Sequence, residues 1–446
     1  MTEARALVKG TSTLALVGAA AIALSVITNK LIAVYAGAEG VGLMGIYRNL
    51  GAWVMGGLAL GYHTILMQRA SLCRADEETR ELLEVSGLLL LGQTAVIILI
   101  SAAAAGAIAR FLFAEASASA VAEVRIVLAM AWVNLILQTA LAVIRGKADI
   151  KAIAAVQFST SIATLLVILP LISWGRKGLA FNTASGSVVG AVVGFFYLWR
   201  RYRPKLCNVA RPARFNALRA WAPSSFLLSL QSLGLMGGMV VVQAAVSKHY
   251  GLAPLGNINA AWLILDTLIM IIMSSARTQL LSSLGNSDDA AKAALVSSTL
   301  TLLLAASAVA GLAVIFLGKL AMVVLFSRQF RIAAPLLAVV SVSLVGQAFG
   351  WSYNTVLLHK DDTAFFVGLD LFWTLLFVAG ALACIRSGFP IVSVAWAYSA
   401  SYGVYGAVYA LVAVRRHGRG LLSVKNFSLA CACQGILLIA ALLVNR

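Results

Sequence analysis

The sequence predicts an all-α protein that crosses a membrane many times. Hydrophobic residues make up 61% of the 446 residues, and charged residues only 11%. Apolar runs of about 20 residues, the length that a helix needs to cross ~30 Å of hydrocarbon, recur along the whole chain. Helices are expected because lipid offers the backbone no hydrogen-bond partners, and the short alternating strands of a membrane barrel are not seen.

The apolar runs predict twelve spans in two sets of six, followed by one further run. Each run is long enough for a membrane helix. A thirteenth helix at 427–444 would put the C-terminus on the side opposite the N-terminus. The predicted spans are 12–35, 41–68, 84–109, 126–144, 152–173 and 179–199, then 221–246, 257–276, 293–318, 332–358, 363–384 and 391–413.

A basic segment divides the two sets of spans. Residues 200–220 hold seven Lys and Arg, two prolines and no acid. Parallel halves joined by such a link are common in secondary transporters. The predicted domains are therefore an N-terminal six-helix bundle (1–199), a basic cytoplasmic linker (200–220), a C-terminal six-helix bundle (221–413), and a basic loop with the further apolar run (414–446).

The basic residues also predict the orientation. Of the 34 Lys and Arg residues, 22 lie in loops that are cytoplasmic if the N-terminus is inside, and 10 lie in the opposite loops. This bias favours a cytoplasmic N-terminus. The net charge of +18 is accordingly assigned to loops that meet anionic lipid and not to nucleic-acid binding.

Two cations lie within the first predicted hairpin. Lys30 precedes the predicted turn at 36–40 and Arg48 follows it, so both are expected roughly 10 Å below the turn. A cation that faces lipid costs about 2.5 kcal/mol or more. We expect both to project into a hydrated cavity where an anion offsets them; the alternative is that both side chains snorkel to the interface.

Isolated polar residues in other spans are further candidates. Asp266 and Asp370 are acids inside apolar helices, and such residues are candidate proton or sodium sites or partners of a buried cation. Asn134 and Gln138 form a polar face at i, i+4, which either lines a cavity or makes hydrogen bonds between helices.

The sequence lacks the catalytic motifs of common nucleotide-binding enzymes, metalloproteases and hydrolases. It has no phosphate-binding glycine loop ending in Lys-Ser/Thr, no HExxH and no GxSxG. Cysteine and histidine do not form a metal-ligand pattern. We therefore expect no enzymatic activity, no catalytic residue, no metal and no cofactor beyond coupling to H⁺ or Na⁺.

The first hairpin resembles that of the O-antigen and lipid III flippases, in the polysaccharide transporter family of the multidrug/oligosaccharidyl-lipid/polysaccharide (MOP) exporter superfamily. The resemblance covers nearly 410 residues in span order and is most specific in the hairpin. The matching segments are Lys-Leu-Ile-Ala-Val at 30–34, the glycine-rich stretch at 37–50 that ends Tyr-Arg-x-Leu, Trp-x-Asn-Leu at 132–135, Arg-Gly-x-Ala-Asp at 145–149, and 256–284 around Asp266.

The resemblance implies two six-helix bundles around a central cationic cavity in the bacterial inner membrane. The expected substrate is an oligosaccharide on undecaprenyl pyrophosphate, bound by Lys30, Arg48, Asn134 and Asp266 and moved by alternating access. A polysaccharide polymerase and a chain-length regulator are expected partners. The alternatives are an ion-coupled drug or cation antiporter of the same superfamily and a non-transport scaffold of a polysaccharide assembly complex.

Overall fold

The computed structural model describes residues 2–59, 61–113, 117–203, 212–284, 289–359, 363–417 and 424–445, and these are almost entirely helical. No strand occurs in those ranges. The chain is therefore an all-α protein, as predicted.

The helices fall into two compact units. Unit 1 comprises Met1–Ala36 and Leu43–Val240, and unit 2 comprises Gly37–Gly42 and Val241–Arg446. The first ten α-helices are α1 (Thr2–Tyr35), α2 (Gly37–Ala59), α3 (Tyr62–Leu72), α4 (Asp76–Ala103), α5 (Ala105–Leu112), α6 (Ala118–Gly146), α7 (Ile150–Ser173), α8 (Arg176–Asn182), α9 (Ser185–Tyr202) and α10 (Pro212–Tyr250). Those that follow are α11 (Leu252–Leu284), α12 (Asp289–Leu325), a 3₁₀ helix (Arg328–Ala333), α13 (Ala334–Ser341), α14 (Ser343–His359), α15 (Thr363–Arg386), α16 (Val392–His417) and α17 (Val424–Val444).

Two of the three unit boundaries lie inside helices. The first six residues of α2 belong to unit 2, and α10 passes from unit 1 to unit 2 after Val240. The sequence predicts the domain boundary in the basic segment 200–220, which precedes this point in the chain. Residues 204–211 of that segment lie outside the described residues, and the role of a linker there stays a prediction.

The described residues contain ten helices that are long and apolar enough to cross a membrane, or up to twelve if each of two bent helix pairs is one span. The chain is thus a multi-pass membrane protein. One bent pair is α2 with α3, where Gly61 has a left-handed φ of 61° next to Tyr62. The other joins Arg328–Ser341 to Ser343–Tyr353 with a bend of 42°.

One predicted span differs in character from the others. Residues 391–413 do fold as a helix, α16, but this helix is not among those apolar enough by the same measure. Its sequence contains four tyrosines, at 398, 402, 405 and 409, which lower its mean hydropathy. Those rings pack against one another inside unit 2.

Glycines allow α9 to pack closely on α7. A Cβ atom at Gly186 would lie 2.0 Å from the Oγ1 atom of Thr164, and one at Gly190 would lie 2.0 Å from that of Thr160. Small residues at four-residue spacing permit this approach of two helices. The same threonines face the cavity described below, so the glycine stripe fixes one of its walls.

Helix α17 is anchored to α12 by a buried amide. Asn426 is fully buried; its Nδ2 atom donates to the Oγ atom of Ser297 over 2.7 Å, and its Oδ1 atom accepts from the hydroxyl of Thr301 over 2.9 Å. The apolar run predicted at 427–444 therefore folds as a membrane-length helix packed within unit 2.

Candidate functional site

Unit 1 contains a polar cavity of about 280 Å³ among its membrane helices. Helices α1, α2 and α7 and the junction of α8 with α9 provide its walls. Hydroxyl and amide side chains make up most of the lining. The described lining residues are Ala21, Ser25, Thr28, Asn29 and Ile32 of α1; Met44 and Arg48 of α2; Thr160, Ser161 and Thr164 of α7; and Asn182, Thr183, Ala184 and Ser187.

The threonine hydroxyls around the cavity donate to the backbone carbonyls of nearby residues. Thr28 donates to the carbonyl of Leu24 over 2.9 Å, and Thr164 donates to that of Thr160 over 2.9 Å. Thr160 does the same toward Val156. A hydroxyl that donates its one hydrogen bond still has lone pairs that can accept hydrogen bonds. These groups therefore present acceptors, which suit the hydroxyl donors of a sugar or water.

Arg48 is the charged group among the described lining residues. It is exposed at the cavity wall, and no carboxylate lines the same described wall. Arginine stays protonated in proteins and offers five donors in a planar fork. The cavity thus combines one permanent cation with many acceptors, a composition that favours an anion bearing hydroxyl groups.

Lys30 lies between two residues of α1 that line the cavity, Asn29 and Ile32, but does not line it itself. Asn29 lines the cavity with Arg48, whereas Lys30 is exposed and is not among the lining residues. Successive residues point about 100° apart around a helix. Arg48 and Asn29 therefore line the same cavity, and a role for Lys30 in binding stays a prediction.

Asn134 lies directly behind the cavity. Its Oδ1 atom accepts from the hydroxyl of Ser187 over 3.3 Å, and its amide nitrogen lies 3.3 Å from the sulfur of Met55. Ser187 is itself a lining residue. Asn134 thus makes a hydrogen bond between α6 and α9, and its role in substrate binding stays a prediction.

The two predicted acids lie in unit 2 beside the tyrosines of α16. Asp370 on α15 is buried, and its Oδ1 atom accepts a hydrogen bond of 2.5 Å from the hydroxyl of Tyr405. Asp266 on α11 is exposed and interacts electrostatically with Tyr398 and Tyr402. Both carboxylates thus adjoin one column of rings, and Tyr402 interacts with each of them.

Sequence reasoning missed a buried carboxylate in unit 1. Glu123 on α6 has no exposed side-chain area and forms a salt bridge of 3.1 Å with Arg176. The predicted spans begin at 126 and 179, so both residues fall in predicted loops and not in spans. One sequence feature could have revealed Glu123: it is an isolated acid four residues after Ser119. The Ser119 hydroxyl does donate to the Glu123 carboxylate over 3.1 Å.

The matching segment at 145–149 forms a tight turn between α6 and α7. Ala148 has a left-handed φ of 53°, and a Cβ atom at Gly146 would lie 2.4 Å from the carbonyl oxygen of Met67. Asp149 caps α7 by accepting from the amide of Ala152 over 3.0 Å. These contacts give that part of the motif a structural role.

The side chain of Asp149, which lies between the membrane-length helices α6 and α7, has a second partner. Its Oδ2 atom accepts a short hydrogen bond from the hydroxyl of Tyr197, and this bond holds the pKa of Asp149 below its ordinary value, with a further contribution from the Ala152 amide. The carboxylate therefore stays charged and ties α9 to the start of α7.

Comparison with known proteins identifies the fold. No protein-family model and no curated protein sequence matches the chain. Among solved structures, an inward-facing multidrug resistance MATE family transporter of the MOP superfamily superposes with a TM-score of 0.72 at 15% identity, covering 93% of this chain and 94% of that one. Lipid II flippase MurJ in an inward closed conformation gives 0.70 at 13% identity, covering 97% and 96%.

A third similar structure is a MOP superfamily transporter from Pyrococcus furiosus. It gives a TM-score of 0.60 at 14% identity, covering 93% of this chain and 95% of that one, and the reverse polarity of its binding pocket is described as suggesting a different function. All three cover nearly the whole of both chains. The chain has the fold of the MOP superfamily transporters.

Proposed function

We propose that the protein is a flippase that moves undecaprenyl-pyrophosphate-linked oligosaccharide from the inner to the outer leaflet of the bacterial cytoplasmic membrane, for the assembly of O-antigen, enterobacterial common antigen or exopolysaccharide. The observation that carries this proposal is the position of Arg48 in a hydroxyl-lined cavity inside unit 1. The fold shared with MurJ, a lipid II flippase, is compatible with it.

The chemistry of the cavity matches the polar head of such a substrate. A sugar head cannot cross hydrocarbon unaided, because each hydroxyl would lose its water partners at a cost of roughly 2–7 kcal/mol. Acceptors such as Thr160 and Thr164 replace some of those partners. Arg48 can bind the oxygens of a diphosphate or an acidic sugar through its planar fork.

Ion coupling is assigned to unit 2 in this proposal. Asp370 and Asp266 would bind H⁺ or Na⁺, and a change in their charge would alter their contacts with the tyrosines of α16. Alternating access to the two sides of the membrane would convert that change into net movement of substrate. A polysaccharide polymerase and a chain-length regulator are the proposed partners in the membrane.

A drug or cation antiporter is the second candidate. The observations that favour it are the likeness to a multidrug MATE transporter and the acid-bordered aromatic column of unit 2, since aromatic faces and carboxylates both attract organic cations. The described cavity of unit 1 has the opposite character, because Arg48 would repel a cation. This difference makes the two candidates separable by experiment.

The test uses a strain lacking the gene. The flippase proposal predicts that lipid-linked oligosaccharide accumulates on the cytoplasmic face, and that the wild-type gene restores surface glycan whereas Arg48→Ala does not, although the protein reaches the membrane at normal levels. Arg125→Ala is the matched control, because Arg125 is an exposed arginine of α6 outside the described cavity lining.

Two outcomes would reject the flippase. One is full surface glycan with Arg48→Ala, and the other is hypersensitivity of the deletion strain to cationic drugs without any accumulated lipid-linked oligosaccharide. The second outcome would favour the antiporter. A non-transport scaffold would tolerate Arg48→Ala. Its deletion strain would show neither accumulated lipid-linked oligosaccharide nor hypersensitivity to cationic drugs.

A further inference from the structure

The carboxylate of Glu123 joins three helices of unit 1. The hydroxyl of Tyr47 on α2 donates to its Oε2 atom over 2.6 Å, and the guanidinium of Arg176 on α8 donates to the same oxygen over 3.1 and 3.2 Å. Arg176 also lies over the ring of Phe113, 5.1 Å from its centroid. The result is a compact polar network centred on α6.

Burial makes this network sensitive to the loss of any partner. Tyr47 and Glu123 are fully buried, whereas the side chain of Arg176 is 45% exposed. A buried ionised carboxylate is tolerated only when it is paired and hydrogen-bonded, and loss of one partner leaves an uncompensated charge. The three groups therefore hold one another in a single arrangement.

The network reaches two walls of the cavity through neighbouring residues. Tyr47 directly precedes Arg48, so fixing its hydroxyl on α6 fixes the rotation of α2 and the direction in which Arg48 points. Arg176 is the first residue of α8, the short helix that ends at the lining residue Asn182. Glu123 does not itself line the described cavity.

We propose that Glu123, acting through Tyr47 and Arg176, is a positioning residue that holds Arg48 and the α8 wall in the geometry needed to bind an anionic lipid-linked head. The inference rests on the proposed function, because it assigns to Arg48 the binding of a diphosphate. The inference adds that Glu123, which does not line the described cavity, sets the affinity of the Arg48 site.

The test measures binding of farnesyl diphosphate to the purified protein in lipid nanodiscs, with farnesol as the uncharged reference. Tyr47→Phe removes one hydroxyl and keeps the ring that packs edge-on against Phe113. It should weaken farnesyl diphosphate binding at least about fivefold, an effect typical of coupled neighbouring groups, and leave farnesol binding unchanged. Tyr353→Phe, the same change at another buried tyrosine, in unit 2, should leave both affinities unchanged.

A double-mutant cycle separates positioning from general damage. In an Arg48→Ala background, Tyr47→Phe should cause no further loss of diphosphate affinity, because the group that it positions is gone. Glu123→Gln should behave in the same way as Tyr47→Phe in both backgrounds. A merely structural lesion would lower the affinity by the same factor whether or not Arg48 is present.

Failure of the positioning inference and failure of the proposed function would give different results. If Arg48→Ala weakens diphosphate binding but Tyr47→Phe and Glu123→Gln do not, or if their effects persist without Arg48, the positioning inference is overturned and the proposed function stands. If Arg48→Ala binds farnesyl diphosphate as the wild type does, the anion site of the proposed function is lost, and the positioning inference falls with it.

Discussion

The hydroxyl of Tyr405 donates a hydrogen bond of 2.5 Å to the Oδ1 atom of Asp370, which joins α16 to α15 inside unit 2. Both side chains are 6% exposed. Tyr405 also contacts the ring of Tyr409, with 4.7 Å between centroids. A carboxylate placed in this way is electrostatically linked to the packing of α16, so the charge on Asp370 and the position of that helix depend on each other.

Removal of the Tyr405 hydroxyl should destabilise unit 2 through Asp370. Tyr405→Phe takes a donor from a buried carboxylate and should lower the free energy of unfolding by about 1.5–3 kcal/mol, the range for hydrogen bonds to charged groups. In an Asp370→Asn background the same change should cost less than about 1 kcal/mol, because no charge is left unpaired. Thermal unfolding in detergent measures both; equal costs in the two backgrounds would show that Asp370 is not the group stabilised.

The same pair tests the coupling role. Asp370→Asn should make glycan export insensitive to collapse of the proton and sodium gradients, whereas the wild type should lose export when the coupling gradient collapses. Asp266→Asn, at the other acid beside Tyr402, shows which of the two carboxylates carries the coupling. Equal sensitivity of both variants and the wild type would rule out coupling at either acid.

Hydrophobic length predicted the helices of this protein well, because lipid allows few alternatives to a helix. The features that it could not predict depend on tertiary contacts. The bend at Gly61 arises from one left-handed residue inside a continuous apolar run. The unit boundary inside α10 follows from which residues pack together, and a basic loop upstream does not reveal that packing.

Close packing of α9 on α7 should make Gly186 intolerant of any side chain. The Cβ atom of Gly186→Ala would lie 2.1 Å from the carbonyl oxygen of Thr160. Separation of the two helices should lower the unfolding free energy by about 1–3 kcal/mol, as other overpacked cores do. Gly92→Ala on α4 is the control, because its Cβ atom would meet no atom within 4 Å and alanine is the better helix former. Equal melting temperatures for the two variants would contradict the packing described.

The candidate site was predictable in part for a similar reason. A cation in an apolar helix marks a functional position, and Arg48 does line a polar cavity. The choice between Asn29 and Lys30 depends on the rotation of α1, which sequence periodicity does not fix to within one residue. Glu123 was missed because its partners, Tyr47 and Arg176, lie 76 and 53 residues away in the chain.

Geometry as well as charge should matter at Arg48. Arg48→Lys keeps the cation but replaces the planar fork by a single ammonium group. It should bind farnesyl diphosphate more weakly than the wild type and more tightly than Arg48→Ala. The affinity of each form should fall as the salt concentration rises, and this fall should be smallest for Arg48→Ala, which has lost the charge at this position. Lys30→Gln, measured in parallel, shows whether the second cation contributes. An Arg48→Lys variant with unchanged affinity would exclude bidentate binding.

The anchoring of α17 depends on Asn426. Asn426→Ala would leave the half-buried hydroxyls of Ser297 and Thr301 without their amide partner, at a cost of about 1–3 kcal/mol. Cysteine labelling of Cys433, which is buried, should become faster as α17 separates from α12, whereas labelling of the exposed Cys431 should not change. Unchanged labelling of both would mean that apolar contacts alone hold the helix.

Acid should weaken the junction of α7 and α9 through Asp149. Because the hydrogen bond from Tyr197 holds the pKa of this carboxyl below its ordinary value of about 3.9, the charged form stabilises the fold at pH values above that range. That contribution is lost as the pH falls from about 4 toward the lowered pKa. Asp149→Asn keeps an oxygen to cap α7 but cannot titrate. Its melting temperature should therefore fall less than that of the wild type over the roughly three pH units from pH 6 to pH 3. Asp76→Asn, at an aspartate whose side chain is 65% exposed, is the control and should follow the wild-type profile. If Asp149→Asn also followed the wild-type profile, other carboxylates would set the acid response.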